Sequence, residues 1–323
     1  MTELAVHEAG PMVTVQDLGR PGLQHAGVSR AGPMDVPSFR IANALVGNGP
    51  AAAGLEFAGV GGRFEATEPV RIAVTGGAVD VRIDRTPIWL WESHVLRPGS
   101  MLTIGAMRDA VWAYLAISGG IDTPPVLGSR STHLRSGLGG HEGRRLVAGD
   151  RLPLGQAEPA PLLALNRPVW RSNRPIRVVK GPQDGRFSPE ILRRFLGEPY
   201  IVSASRDRMA QVLAGPPLPA AGGHDIVSDG TALGSIQVPG SGQPIVLMAE
   251  RQTTGGYPKI ATLASVDVAR LAQTPSGRPV RFAAISQSRA EDLAIEERQV
   301  LDEIVAGLAE KPAGDSRQRE RRP

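Results

Sequence analysis

Glycine and proline punctuate this chain so often that a helix-packed core cannot be threaded through it. There are 39 Gly and 28 Pro among 323 residues, spread over the whole length. In a helix interior Gly is less favourable than Ala by about 1 kcal/mol and Pro by about 3 kcal/mol. Between these breakers lie short apolar runs, among them Arg71-Ile72-Ala73-Val74, Ala113 to Ile117, Ile245 to Met248 and Ile260 to Leu263. Runs of that length bounded by turn residues read as buried strands. The expected class is mainly β with minor α, and the length exceeds what one ordinary core holds, so two domains are expected.

Taken in order, residues 4–6 and 12–15 read as strands, and Asp80 to Asp84 alternates with period two. Residues 1–155 form the expected first domain. Gln156-Ala157-Glu158-Pro159-Ala160-Pro161 opens a linker assigned to 156–175, and the second domain is expected over 176–287. Two helices carry explicit start signals. Asp35 stands at an N-cap ahead of Val36 to Val46, with Gly47 as the stop, and Ser188-Pro189 starts a short helix to about Leu196. Residues 288–310 place Leu293, Val300, Leu301, Ile304, Val305 and Leu308 on one face of an amphipathic helix. The tail 311–323 reads as disordered and basic.

Several chemistries are excluded. The chain has no cysteine, which removes thiol nucleophiles, disulfides and Cys-based metal sites. It has no G-x-x-x-x-G-K-[ST], no H-E-x-x-H, no G-x-S-x-G and no segment that would carry covalent biotin. His133 and His141 share a Gly-rich loop, but nothing completes a ligand set, so no metal is expected. No apolar run reaches membrane-spanning length, and no secretory signal is visible, so a cytoplasmic protein without membrane contact is expected. The net charge is +4, and Arg317, Arg319, Arg321 and Arg322 in the tail supply much of the excess. Aromatics are only 4%, too few for base-stacking platforms, so nucleic acid is not an expected partner.

What remains is a set of donors without a nucleophile. The densest stretch runs from Gly234 to Leu263 and holds Gln237, Arg251, Gln252, Thr253, Thr254, Tyr257 and Lys259 around Gly-rich turns. Arg20, Arg130, Arg135, Arg251 and Lys259 suit a carboxylate, a phosphate or a developing oxyanion. Gln24, Gln237 and Gln252 suit a planar amide or ureido group. Asp17, Asp35 and Asp229 are candidate bases or orienting carboxylates. Arg251, Lys259 and Asp35 are the expected catalytic residues. Arg20, Gln24, Arg130, Arg135, Gln237, Gln252, Thr253, Thr254 and Tyr257 are expected to bind substrate. On residue types alone, the stretch also reads as a polar hairpin that satisfies its own backbone, and Asp35 as no more than a helix cap.

Five motifs carry a resemblance. Val13 with Gln16-Asp17-Leu18-Gly19-Arg20-Pro21-Gly22, Gly32-Pro33-Met34-Asp35, Gly119-Gly120-Ile121-Asp122, Val126-Leu127-Gly128-Ser129-Arg130-Ser131-Thr132 and Arg251-Gln252-Thr253-Thr254-Gly255-Gly256-Tyr257-Pro258-Lys259 resemble the allophanate hydrolase subunit 2 family. It is also called the KipA-like or biotin-dependent carboxyltransferase family, and it includes the C subunit of 5-oxoprolinase. The resemblance spans about residues 3–287. It implies two cyclophilin-like β-barrel domains. It implies partners: a KipI-like or allophanate hydrolase subunit 1 protein (the B subunit of 5-oxoprolinase), and a LamB/YcsF-like protein (its A subunit). For the oxoprolinase members it implies ATP, with magnesium, held together with the partner subunits, and opening of the 5-oxo-L-proline lactam to glutamate. For the urea amidolyase members it implies carboxyl transfer from carboxybiotin to urea, with biotin on another chain or domain. A third implied role is a KipA-type regulator that binds a KipI-like inhibitor.

Overall fold

The computed structural model describes residues 2–165 and 172–311. Among the described residues the chain folds as two large β sheets, one curled into a half-barrel and one into a nearly closed barrel, with two short two-stranded pairs and four α-helices around them. The first sheet has nine strands, from Glu3–Ala9 to Arg151–Pro153. Its spine is the antiparallel pair Val70–Ile83 and Leu102–Ile117. Sequence divides the first of these at Thr75-Gly76-Gly77. The structure instead carries the strand straight through, with register shifts at Gly76/Ala78 and Val79/Val81. Gly76 sits at φ +98°, and a Cβ there would lie 2.6 Å from the Trp112 carbonyl oxygen, so the glycine marks a bulge and not a turn.

The second sheet has eight strands. In order across the sheet they are Pro279–Val280, Tyr200–Arg206, Ala210–Ala214, Ile245–Leu247, Ser235–Gln237, Lys259–Leu263, Ile176–Lys180 and Phe282–Ala284. The two edge strands are separated in sequence only by Arg281, so the sheet bends round until its edges meet. The strand pair Tyr200–Arg206 and Ala210–Ala214 carries no sequence signal strong enough to have been anticipated.

Both helix starts read from sequence are present. In α1 (Val36–Leu45) the Asp35 carboxylate accepts from Ser38 N, and in α2 (Pro189–Gly197) Ser188 accepts from Ile191 N. A third helix, α3 (Ser265–Ala272), was not legible, because its N-cap is Ala264 and no side chain caps it. The C-terminal helix α4 runs over Gln287–Ala306, shorter than expected, and the chain then adds the strand Ala309–Glu310. That strand pairs with Leu163–Ala164, inside the stretch read as linker, and Lys311 Nζ reaches Glu92 at 2.9 Å. Leu293 and Leu301 are buried as expected, whereas Val300 is half exposed. The expected tail lies outside the described residues, apart from Lys311.

The larger buried cluster draws on both halves. Met34, Phe39, Leu45, Trp112 and Tyr114 pack with Phe195, Tyr200, Ile236, Val246, Leu271 and Leu301. A second cluster, with Leu4, Val15, Phe57, Phe64, Ile104 and Leu115, fills the first sheet alone. Among the described residues no helix is long and apolar enough to cross a membrane.

Candidate functional site

The strands Ser235–Gln237 and Lys259–Leu263 are antiparallel neighbours, and Gln237 stands opposite Lys259 in their register. Cross-strand partners put their side chains on one face. Ile236 and Ile260, their neighbours along the two strands, turn the other way into the core. Gln237 and Lys259 are therefore aimed together, away from the core, and both are buried at 2% exposure.

Neither is satisfied there. Lys259 Nζ lies 3.1 Å from Asp229 Oδ2, an ion pair, and has no further hydrogen-bond partner among the described residues. An ammonium carries three donors, so most of its capacity is open. Gln237 Oε1 accepts from Gln252 Nε2 at 3.2 Å, which fixes the amide with its nitrogen outward, and that Nε2 has no partner. Gly255 makes room for it, since a Cβ at 255 would meet Gln237 Nε2 at 2.2 Å. Buried donors left unpaired are uncommon in folded proteins, and each costs about 1–3 kcal/mol.

Two further residues complete the cluster: Gln183, which sequence reasoning left out of the site, and Asp229, one of the candidate bases or orienting carboxylates. Gln183 accepts from Lys259 N at 3.1 Å and donates to Asp229 Oδ2 at 3.2 Å. Asp229 sits at the solvent edge on the short pair Asp229–Gly230 with Thr254–Gly255. Hydrogen bonds from Lys259 and Gln183 hold its carboxyl below the usual carboxylate range. Gln183 lies 76 residues from Lys259 in sequence, and no motif links them.

The remaining expected residues divide. Gln252 belongs to the cluster through Gln237. Thr254 is exposed on the short strand pair beside it, Thr253 receives Thr231 N on its carbonyl at 3.0 Å, and Tyr257 is 41% exposed at the rim. Arg251 goes elsewhere. Its Nε donates to Thr231 O at 3.4 Å, the carbonyl that Gln24 Nε2 also approaches at 3.5 Å from the first half. Gln252 and Lys259 are thus joined through Gln237, whereas the hydrogen bond of the Arg251 side chain goes to Thr231 O.

Asp35 is also drawn away from the cluster. Its carboxylate accepts from Ser38 N, Ser38 Oγ at 2.8 Å and Gln273 Nε2 at 2.8 Å, which caps α1 and ties it to the end of α3. Arg20 is fully buried, donating to the Ser131 carbonyl and to Val126 O. Arg130 donates to Thr123 O at 2.7 Å and pairs with Asp122. Both arms hold the loop 121–133, as does Asp17, which accepts from Ser129 Oγ at 2.5 Å and Ser131 Oγ at 2.6 Å. Arg135 lies against Met209 Sδ at 2.7 Å.

The family model described as carboxyltransferase domain, subdomain A and B, matches residues 26–284. The chain belongs to this carboxyltransferase family. Among family relatives, the 5-oxoprolinase C subunit of Escherichia coli (strain K12) is 39% identical over 289 residues, which cover 89% of this chain and 93% of that protein. The solved chain of TTHA0988 superposes with a TM-score of 0.80 at 36% identity, over 88% of this chain. This chain spans 56% of TTHA0988, little more than half. The urea carboxylase of Kluyveromyces lactis superposes with a TM-score of 0.87 at 29% identity over 94% of this chain, which is 29% of that much longer protein. The carboxyltransferase fold here is therefore a module that other chains carry as one part among several.

Proposed function

We propose that this chain is the C subunit of an ATP-dependent 5-oxoprolinase and opens the lactam of 5-oxo-L-proline to L-glutamate. It acts with two partners, a KipI-like B subunit together with a LamB/YcsF-like A subunit. The observation that carries this reading is the pair of buried, unsatisfied donors Lys259 Nζ and Gln237 Nε2 on one face. A lactam presents a planar carbonyl beside an N–H. Attack of water at its carbon pushes the C=O electron pair onto that oxygen, and transfer of a phosphoryl group from ATP to the oxygen places further negative charge beside it. Donors fixed in advance in a water-poor place stabilise such charge without reorganising. Gln252, whose amide nitrogen is used on Gln237, keeps its carbonyl to accept from the ring N–H. A carboxyl held in its ionised form below the usual range is a weak base, so Asp229 is the counter-charge of Lys259 and not a proton acceptor.

The test is reconstitution of the three subunits with ATP and magnesium, following glutamate. Lys259→Met keeps the apolar stem and removes the charge. Loss of one oxyanion donor lowers kcat by about 10²–10³-fold. Full turnover by the variant, or by a mixture lacking this chain, sinks the proposal.

The likeness to urea carboxylase supports a second reading, a carboxyltransferase acting with biotin on a separate carrier. A ureido carbonyl would meet the same two donors. Glutamate formation that persists after avidin treatment favours the first reading, and carboxylation of urea that avidin abolishes favours the second.

A further inference from the structure

We infer that Arg251 and Arg30 form an oxyanion subsite at the seam between the two halves, built to take a planar carboxylate or a phosphoryl group. This deepens the 5-oxoprolinase reading, and rests on it only for the ligand's identity. Arg251 is 6% exposed, yet its Nη1 and Nη2 have no hydrogen-bond or ionic partner among the described residues. The segment opposite is pinned against it, because Ser29 Oγ donates to Ala249 O at 3.1 Å and Gln24 reaches Thr231 O. This brings exposed Arg30, whose side chain among the described residues is bonded through Nε to Leu18 O at 3.3 Å, close enough to Arg251 for the two charges to repel. The carboxylates nearby are spoken for. Glu250 binds Arg208 and Leu134 N, and Asp17 binds Ser129, Ser131 and Arg130.

A buried guanidinium with another beside it and no acid is unfavourable unless an anion completes it. Burial first, and Arg30 second, lower the Arg251 pKa, as expected of cations lacking a counter-charge. The guanidinium fork matches two oxygens of one carboxylate or phosphate. 5-Oxoproline carries such a carboxylate on the ring carbon next to its nitrogen, and ATP carries phosphates.

The experiment uses the full chain and three probes at matched ionic strength: inorganic phosphate, 5-oxo-L-proline, and 2-pyrrolidinone, which is the same lactam without the carboxylate. Binding is read by calorimetry and by Tm. Phosphate is expected to raise the Tm of the wild type by a few degrees but not that of Arg251→Gln, whose own Tm without ligand is not lower. 5-Oxo-L-proline is expected to bind at least about 10-fold more tightly than 2-pyrrolidinone, a preference that Arg251→Gln and Arg30→Gln each reduce, as removal of a charge-assisted pair implies. Phosphate binding that depends on Arg251, without preference for the lactam acid, keeps the subsite and assigns it to the nucleotide, which counts against the lactam but not against the site. No oxyanion binding by the wild type in the tens of millimolar, or equal binding by Arg251→Gln, overturns the inference.

Discussion

Lys259 and Gln237 show how one missing atom sets a site. The Gln237 amide is oriented by Gln252 and accommodated by Gly255, which has no side chain to obstruct it. The backbone at Gly255 is not left-handed, so alanine is tolerated there by the chain itself. Its methyl group would instead push the Gln237 amide out of line. Misplacing a catalytic group by about 1 Å costs on the order of 10²-fold in rate. Gly255→Ala is therefore expected to lose about that much glutamate formation in the reconstituted assembly while keeping its unfolding midpoint. A variant that keeps full turnover would show that Gln237 is not needed where it stands.

At the scale of elements, α3 is held less by helix propensity than by one carboxylate. Asp267 is fully buried in its first turn and accepts from Arg177 N at 2.7 Å, Arg177 Nε and Nη2 at 2.8 Å and Arg270 Nη1 at 2.7 Å. This joins α3 to the strand Ile176–Lys180. Burial pushes the Asp267 pKa up, but the Arg177 and Arg270 donors outweigh it, and the net pKa is lowered from 3.8. A lowered carboxyl pKa means the unfolded chain binds the proton more readily. The stabilisation is then present above about pH 4 and is lost as pH falls through the folded value. Asp267→Asn is expected to reduce stability at pH 7 by about 2–3 kcal/mol, in the range for hydrogen bonds to a charged group. The variant's denaturant midpoint should also fall less steeply than the wild type's between pH 5 and pH 3, roughly the span over which a paired carboxylate titrates. Parallel acid limbs would mean that Asp267 contributes no charge-dependent stability.

Across the whole molecule, the two halves are joined by a buried charge as well as by a shared core. Arg208, from the second half, pairs with Glu56 of the first sheet and with Glu250, and donates to Gly32 O at 2.7 Å. Glu56 in turn accepts from Met34 N at 2.7 Å and from Tyr114 OH at 2.9 Å, and Tyr114 OH accepts from Asp35 N at 2.7 Å. Burial raises the Glu56 pKa and also, well above its usual range, that of Tyr114. Removing Arg208 would strand two carboxylates in the interior. Breaking a buried pair from one side costs about 3–5 kcal/mol, so Arg208→Ala is expected to lose that much stability, read as a lower denaturant midpoint. Arg208→Ala combined with Glu56→Gln should recover part of the loss, and a double variant no better than the single would locate the damage in lost packing.

Some of this was legible in the order of residues. The β class follows from breakers that rule out a helix-packed core, and the caps at Asp35 and Ser188 are local hydrogen bonds between residues three apart. The run Arg251 to Lys259 stands out by its density of donors, and the motifs around it carry the family. What sequence left open was direction. Whether Arg251 faces Lys259 or Arg30, whether Asp35 meets a ligand or only Ser38 and Gln273, and whether Gln183 belongs to the site all depend on strand register and on how the halves pack. A shift of one residue in register exchanges the two faces of a strand, and no local pattern records which face a distant partner will cover. The composition set what this chain could be made of, and the tertiary structure decided which of its donors were left without partners.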